Sequence, residues 1–278
     1  VSSFSSKDLS EWTIRHSVFS APPQWAVDSI KGYEGHTWAP DIIYYKGNYH
    51  LFYSCSAFGK NTSAIGHAYR RTLNPDSDEP WTDTGAVIVS HARDNFNAID
   101  PNIVIDEEGN PWMTFGSFWG GIQLVRLTED LTSTLKPEKL YTICTRQFEG
   151  ASDVPSRSVN SVEAPFIFKH GDYYYLFVSY DFCCRGLKSD YKVVVGRSTR
   201  VTGPYVDKDG RELTRGGGSL VVDSNDEFVA IGHSAAYHFD GKDYFMAHGY
   251  SRSEDGASKL FFREMTWDEE GWPFVSAE

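Results

Sequence analysis

Hydrophobic and polar positions repeat along the chain as one phrase that occurs four times. In each copy a small or acidic residue leads into an apolar run, a polar turn and an aromatic run. The copies are WAPDIIYYKGNYHLFYS (38–54), IDPNIVIDEEGNPWMTFGS (99–117), VEAPFIFKHGDYYYLFVS (162–179) and GHSAAYHFDGKDYFMAHGY (232–250). The turns supply Gly, Asn or Asp where a tight reversal needs positive φ, and the flanks are rich in β-branched and aromatic residues. Each copy therefore predicts a β-hairpin.

A second hairpin is predicted after each of the four copies. It begins with SAIGHAYR (63–70), GIQLVRLT (121–128), YKVVVGRS (191–198) or KLFFREMT (259–266). Two hairpins make a four-stranded sheet, and Pro40, Pro101 and Pro165 recur at intervals of 61 and 64 residues. This spacing favours the blades of a β-propeller, each carrying long loops. A long β-sandwich is the alternative, because regular strand and turn spacing also suits sandwiches.

Residues 1–13 match the second half of a repeat unit, with nothing before them. The pattern thus predicts an all-β chain: a single five-bladed β-propeller over residues 1–278, whose first blade lacks its inner strands. We expect the missing hairpin to lie upstream of Val1 or on a separate segment, since half a blade would expose a strand edge.

Composition narrows the class of partner. Lys and Arg number 26 against 38 Asp and Glu, a formal charge of −12, opposite to what nucleic acid or an anionic membrane selects. No apolar stretch approaches the about 18 residues of a membrane span. Aromatic residues make up 15%, which suits sheets and the faces of sugars. The four cysteines are too few for a disulfide scaffold and show no zinc-type spacing.

Chemically uneven residues stand where the inner strands begin. In a propeller these positions face a central funnel, so remote repeats can share one site. They are Trp38 with Asp41, Asp100, Glu163 and His233. Strand alternation turns Asp41 away from the others, so we expect it to be structural.

Several phrases resemble a known family. EGHTWAPDIIYYKG, SCSAFGKNTSAIG, NAIDPNI, GSFWGG, SVEAPFIF, CCRG, VVVGRSTRVTGPY, RGGGSL and IGHSAAYHFDGKDY occur together and in order. They closely resemble endo-acting arabinanases of glycoside hydrolase family 43, from Val1 to about Val275. The resemblance implies a five-bladed β-propeller that hydrolyses the α-1,5-linked L-arabinofuranose backbone of arabinan with inversion.

The resemblance also implies roles for the site residues. Glu163 would be the general acid, and Asp100 a third carboxylate that raises the pKa of the acid and orients it. The general base of the family is an Asp in a His-Asp-Pro phrase, which this sequence lacks and which would belong to the missing hairpin. His233 matches a histidine that contacts a hydrated ion, usually calcium.

Substrate contacts are assigned to aromatic and polar residues near these positions. The expected sugar platforms are Trp38, Phe58, Phe118 and Trp119, for which core packing is the alternative. Ser117, Asn160 and Ser161 are expected to bind hydroxyl groups. The segment Cys183-Cys184-Arg185 is expected to be a loop at the cleft and not a redox centre.

The leading hypothesis is a secreted or periplasmic hydrolase of arabinan or arabino-oligosaccharides, with its export signal removed. Two alternatives stay open. One is a propeller that binds arabinan or oligosaccharides without catalysis, because no base is evident. The other is an exo-acting arabinofuranosidase or xylosidase, which would have a closed pocket instead of an open groove.

Overall fold

The computed structural model describes residues 1–146 and 160–276, and strands dominate this part of the chain. A short antiparallel pair consists of β1 (Phe4–Ser5) and β2 (Thr13–Ile14). The first four-stranded sheet consists of β3 (Thr37–Tyr45), β4 (Asn48–Cys55), β5 (Ser63–Arg70) and β6 (Thr82–Ser90). The second consists of β7 (Asn102–Ile105), β8 (Pro111–Phe115), β9 (Ile122–Arg126) and β10 (Leu140–Cys144).

Two further sheets complete the described strands. One consists of β11 (Val162–His170), β12 (Tyr173–Tyr180), β13 (Lys192–Ser198) and β14 (Ser219–Val222). The other consists of β15 (Phe228–Phe239), β16 (Lys242–Ser251), β17 (Ser258–Trp267) and β18 (Pro273–Val275). The helical elements are α1 (Gln24–Ser29) and 3-10 turns at Gly186–Lys188 and Leu213–Arg215. No helix in the described ranges is long and apolar enough to cross a membrane.

In every four-stranded sheet the strands lie side by side in chain order. Such a meander is the unit from which propeller blades are built. The predicted hairpins, their third strands and the all-β class are therefore confirmed. The count of five blades, the missing inner strands and the single domain over residues 1–278 stay predictions. In its described ranges the chain forms two compact units, residues 1–113 with 125–139, and residues 114–124 with 140–146 and 160–276.

The first hairpin shows why its turn sequence was informative. Lys46 and Gly47 between β3 and β4 have φ values of 47° and 89°. Two successive positive φ angles match the right-handed twist of the strands that the turn joins.

Irregularities in the first strand of a sheet decide where the candidate site residues point. The register of β3 on β4 shifts between Trp38 and Asp41, and that of β11 on β12 between Glu163 and Phe166. The register of β15 on β16 shifts on either side of Gly232. A bulge adds an unpaired residue and re-aims the side chains beside it, so simple alternation fails at these strand starts.

The core of the first unit joins α1 to the first sheet. Ala26 and Ile30 pack against Leu51, Tyr53 and neighbouring buried residues of β4 and β5. The hydroxyl group of Tyr53 donates to Asp83 at 2.7 Å. Side chains from the sheet therefore hold a helix of only six residues, which is too short to be stable alone.

The core of the second unit lies between the two C-terminal sheets. Its buried rings include Phe177 and Phe245, whose centroids are 5.9 Å apart, and Phe261, which packs beside Phe245. Strand β15 contacts β11, β12 and β13 across this layer. The packed sheets fix the start of β11 relative to the start of β15.

Candidate active site

Glu163 lies near the start of β11, half-buried, with both carboxylate oxygens bonded to hydroxyl groups. The Ser117 hydroxyl donates to Oε2 at 2.7 Å, and the Tyr191 hydroxyl donates to Oε1 at 2.7 Å. Ser117 and Glu163 also form an isolated antiparallel bridge. Because each oxygen has its own donor, the plane and the rotation of the carboxyl group are fixed.

His233 lies in the same unit, at the bulge of β15, where its φ is 54°. Its backbone N–H donates to the Ser179 hydroxyl at 2.8 Å. Burial lowers the pKa of His233, while the negative charge of Glu163 opposes that shift. The ring of His248 is 6.4 Å away, and burial, with the neighbouring His233, lowers the pKa of His248 to about 4. Both imidazoles are therefore neutral near pH 7.

Asp100 lies in the first unit and is buried, with a φ of 57°. Its backbone N–H donates to the Ser54 hydroxyl at 3.0 Å, and Ser54 in turn donates to the carbonyl of Ala39 at 3.1 Å. Ser54, near the end of β4, therefore holds Asp100 at the start of the next repeat. Ser179, near the end of β12, holds His233 in the same way.

Asp100 and His233 occupy the same position of the repeat, but Glu163 does not. Asp100, Ala164 and His233 have φ angles of 57°, 54° and 54° at corresponding positions, so Glu163 lies one residue earlier. The expectation that Asp100, Glu163 and His233 stand at equivalent strand starts is wrong by one residue, since Asp100 directly precedes Pro101 whereas Glu163 lies two residues before Pro165.

Asp41 was expected to be structural, and its contacts agree with that interpretation. It is buried, and one carboxylate oxygen accepts hydrogen bonds from the backbone N–H of Ile103 at 2.7 Å and from the Asn102 amide at 3.1 Å. Its side chain therefore ties β3 to β7.

Two expected sugar platforms lie in a strained loop of the second unit. Phe118 and Trp119 are half-buried and have positive φ angles of 55° and 39°. A Cβ at Gly121 would overlap the carbonyl oxygen of Cys144, so the loop can pack there only with glycine. The Asn160 amide donates to the carbonyl of Trp119 at 2.9 Å. Asn160 thus shapes the loop, and Phe118 donates its own N–H to Val162 beside Glu163.

The other residues predicted to bind substrate differ in their surroundings: some contact other protein groups, and one is exposed to solvent. The Ser161 hydroxyl lies 3.4 Å from a carboxylate oxygen of Asp181. Trp38 is half-buried opposite Ser54, and Phe58 is 78% exposed. The roles of these residues, and of Ser117, Phe118, Trp119 and Asn160, in binding sugar stay predictions.

Tyr191 is the contact of Glu163 that sequence reasoning missed. Its side chain is fully buried and packs with Val229, Ala230 and Tyr250. It directly precedes β13, and the first and third strands of an antiparallel sheet start at the same edge. That rule could have placed Tyr191 beside the start of β11.

Cys183 and Cys184 form a disulfide between adjacent residues. Cys184 has a φ of 65°, and its N–H donates to the Tyr250 hydroxyl at 2.6 Å. Cys183 packs against the buried group that contains Tyr191. This bond was not predicted from the sequence, and Cys55 and Cys144 are buried free thiols.

The residues around His233 do not form an oxygen cage of the kind that calcium prefers. Within the described ranges, no three His, Cys, Asp or Glu side chains are grouped to hold a metal ion. Two imidazoles and the Glu163 carboxylate do not fit a calcium site built by the protein. The calcium prediction stays a prediction, and no step of the chemistry below uses it.

Comparison with known proteins identifies the family of this chain. The family model described as glycosyl hydrolases family 43 matches residues 1–273. The chain is 47% identical to an extracellular exo-α-(1→5)-L-arabinofuranosidase of Cellvibrio japonicus, over 98% of this chain and 79% of that protein. It is 40% identical to an extracellular endo-α-(1→5)-L-arabinanase of Bacillus subtilis, over 96% of this chain and 77% of that protein.

A solved structure shows the same fold. The α-L-arabinanase of Cellvibrio cellulosa in complex with arabinohexaose superposes with a TM-score of 0.94 at 46% identity. The alignment covers 99% of this chain and 88% of that one. With a family model that spans nearly its whole length and relatives well above 30% identity, the chain belongs to glycosyl hydrolases family 43.

Proposed function

We propose that this protein hydrolyses the α-1,5-linked L-arabinofuranose backbone of arabinan with inversion, and that Glu163 is its general acid. The relatives named above act on such linkages, and the arabinohexaose complex belongs to a chain of the same fold. The observation that carries the proposal is the Glu163 carboxyl group, half-buried and held by hydroxyl groups on both oxygens.

Hydrolysis with inversion needs one carboxyl group as a general acid and a second as a general base. The acid gives its proton to the glycosidic oxygen while the bond from that oxygen to the anomeric carbon breaks. A water molecule attacks the same carbon from the opposite face and loses its proton to a carboxylate base. Glu163 takes the first role, and we assign the second to no described residue. The role of Asp100 as the third carboxylate rests on the resemblance alone.

The test replaces the acid and a matched carboxylate. Glu163→Gln should lower kcat on linear arabinan at least 100-fold, because general acid catalysis contributes about 100-fold to 10,000-fold. Glu138→Gln is the control, since Glu138 also accepts a hydrogen bond from a hydroxyl group, that of Thr134 at 2.6 Å. Full activity in the Glu163→Gln variant would refute the assignment. Binding of arabinan by the parent protein without new reducing ends would favour the non-catalytic alternative.

The stereochemistry and mode of cleavage need separate measurements. Proton NMR of the first product formed should show the anomer opposite to that of the substrate. The relatives include both an exo-acting and an endo-acting enzyme, and we propose endo cleavage. Endo cleavage predicts a fall in viscosity that outpaces the release of reducing ends. Steady release of one short product at constant viscosity would show exo cleavage instead.

We further propose that the protein acts outside the cytoplasm. Both relatives carry the word extracellular in their names, and polymeric arabinan must be met there. Activity on arabinan in the medium of the native producer, absent after deletion of the gene, tests this proposal.

A further inference from the structure

Tyr191 differs in its surroundings from the other hydroxyl donor to Glu163. Ser117 is a small side chain in the loop that carries Phe118 and Trp119, whereas Tyr191 is a fully buried ring in a packed group. A hydroxyl group on a buried ring cannot follow the carboxyl group if the carboxyl group rotates. The ring position therefore sets the position of Oε1.

The ring is held on several sides. A Cβ at Gly232 would overlap ring atoms of Tyr191, so the backbone of β15 lies flat against the ring. Val229, Ala230 and Tyr250 pack around it, and the ring of His248 is 5.9 Å away. Most displacements of the ring would require β15 to move, and β15 is held in the core between the two C-terminal sheets.

We propose that Tyr191 is a positioning residue, which holds the Glu163 carboxyl group in the orientation from which it protonates the leaving oxygen. The inference rests on the proposed role of Glu163 as general acid. Proton transfer requires the acid within hydrogen-bond reach of the leaving oxygen, and small misplacements of a reacting group are costly. In this proposal Tyr191 acts through Oε1 of Glu163, to which its hydroxyl group donates.

A purely structural role for Tyr191 predicts a different result. Buried tyrosines generally pair their hydroxyl group, so loss of the hydroxyl could simply destabilise the protein. A destabilised or distorted enzyme loses activity on every substrate alike. A mispositioned acid loses activity only where the leaving group needs a proton.

The experiment compares two substrates whose leaving groups differ. Linear arabinan has a sugar alcohol as its leaving group and needs the acid. The dinitrophenyl glycoside of α-1,5-linked arabinobiose releases a stable phenolate and needs it little. Tyr191→Phe keeps the ring and removes the hydroxyl. Tyr205→Phe is the matched control, because Tyr205 is equally buried and donates to the carbonyl of Val201 at 2.7 Å.

For Tyr191→Phe we expect kcat on arabinan to fall about tenfold, as for loss of one hydrogen bond to a charged group. KM should be unchanged, and kcat on the aryl substrate should stay within about twofold of the parent. Tyr205→Phe should leave the ratio of the two activities at its parent value. Melting temperatures of both variants report the structural cost of losing a buried hydroxyl.

Two results overturn the inference. An equal fall on both substrates would make Tyr191 structural, and parent-like activity on both would make its hydroxyl irrelevant. Glu163→Gln separates these failures from failure of the proposed function. If Glu163→Gln loses arabinan activity but keeps aryl activity, the acid assignment stands whatever Tyr191→Phe does. If Glu163→Gln loses both equally, the acid assignment fails, and the inference fails with it.

Discussion

Mild acid should destabilise the first unit through a buried pair of histidines. Nδ1 of His50 and Nε2 of His67 are 2.9 Å apart, and Nδ1 of His67 is 2.7 Å from the Thr84 hydroxyl. His50 lies on β4 and His67 on the neighbouring strand β5, and both are buried. Burial is the main cause that lowers the pKa of His67 from 6.5 to about 3, and the neighbouring His50 adds to it.

The sign and size of the effect follow from proton linkage. Below pH 6.5 the unfolded chain binds a proton at His67, while the folded chain does not until about pH 3. The free energy of unfolding therefore keeps its full value above pH 6.5 and falls as the pH drops towards 3. One such proton costs about 1.4 kcal/mol per pH unit. Between pH 6.5 and about pH 5 the loss from His67 alone is about 2 kcal/mol.

The measurement is urea unfolding at a series of pH values and constant ionic strength. His67→Gln removes the titrating group but can still form hydrogen bonds. The variant can be less stable than the parent at neutral pH, so the quantity compared is the slope of stability with pH. His91→Gln, at an exposed histidine of the same unit, is the control.

We expect the His67→Gln variant to lose about 2 kcal/mol less than the parent between pH 6.5 and about pH 5. His91→Gln should keep the slope of the parent. Identical slopes for the parent and His67→Gln would refute the reasoning, because His67 would then titrate alike in the folded and unfolded chains.

Three other outcomes are expected. Gly232→Ala should lower kcat on arabinan more than tenfold, since its Cβ would overlap the Tyr191 ring; an unaltered kcat would show that the ring can move. Asp41→Ala should lower the free energy of unfolding by about 3 kcal/mol, because it leaves the N–H of Ile103 and the Asn102 amide without this acceptor; calorimetry measures the loss, and an unchanged melting temperature would contradict it. Raising the salt concentration should leave KM for neutral arabinan nearly unchanged, whereas a steep rise in KM would indicate a charged substrate.

The strands and turns could be predicted from the sequence because the patterns that specify them are local. SAIGHAYR at 63–70 coincides with β5, and KLFFREMT at 259–266 lies within β17. Turn residues and alternating side chains act over a few positions, so each hairpin could be located without its neighbours. Helix α1 could not, because its six residues follow Pro23 and depend on packing against the first sheet.

The candidate site could be predicted only in part from the sequence, because its geometry depends on bulges and on contacts between residues that are far apart in the chain. Glu163 was selected because an acidic residue directly precedes an apolar run, and its role as the acid stays a prediction, but its register was wrong by one position. Its partners are 46 residues before it and 28 residues after it, at Ser117 and Tyr191. Periodicity says nothing about such pairs, and only the order of strands in the sheet could have suggested Tyr191.

The disulfide between Cys183 and Cys184 has an unusual energetic consequence. A disulfide stabilises a fold mainly by lowering the conformational entropy of the unfolded chain, and the effect grows with the length of the loop that it closes. This disulfide joins neighbouring residues and closes no loop. Its reduction should leave the melting curve nearly unchanged. The bond restricts one turn, in which the backbone N–H of Cys184 donates to the Tyr250 hydroxyl. A preparation purified with reductant could therefore pass every test of folding and still differ in the turn that packs against the buried group of Tyr191.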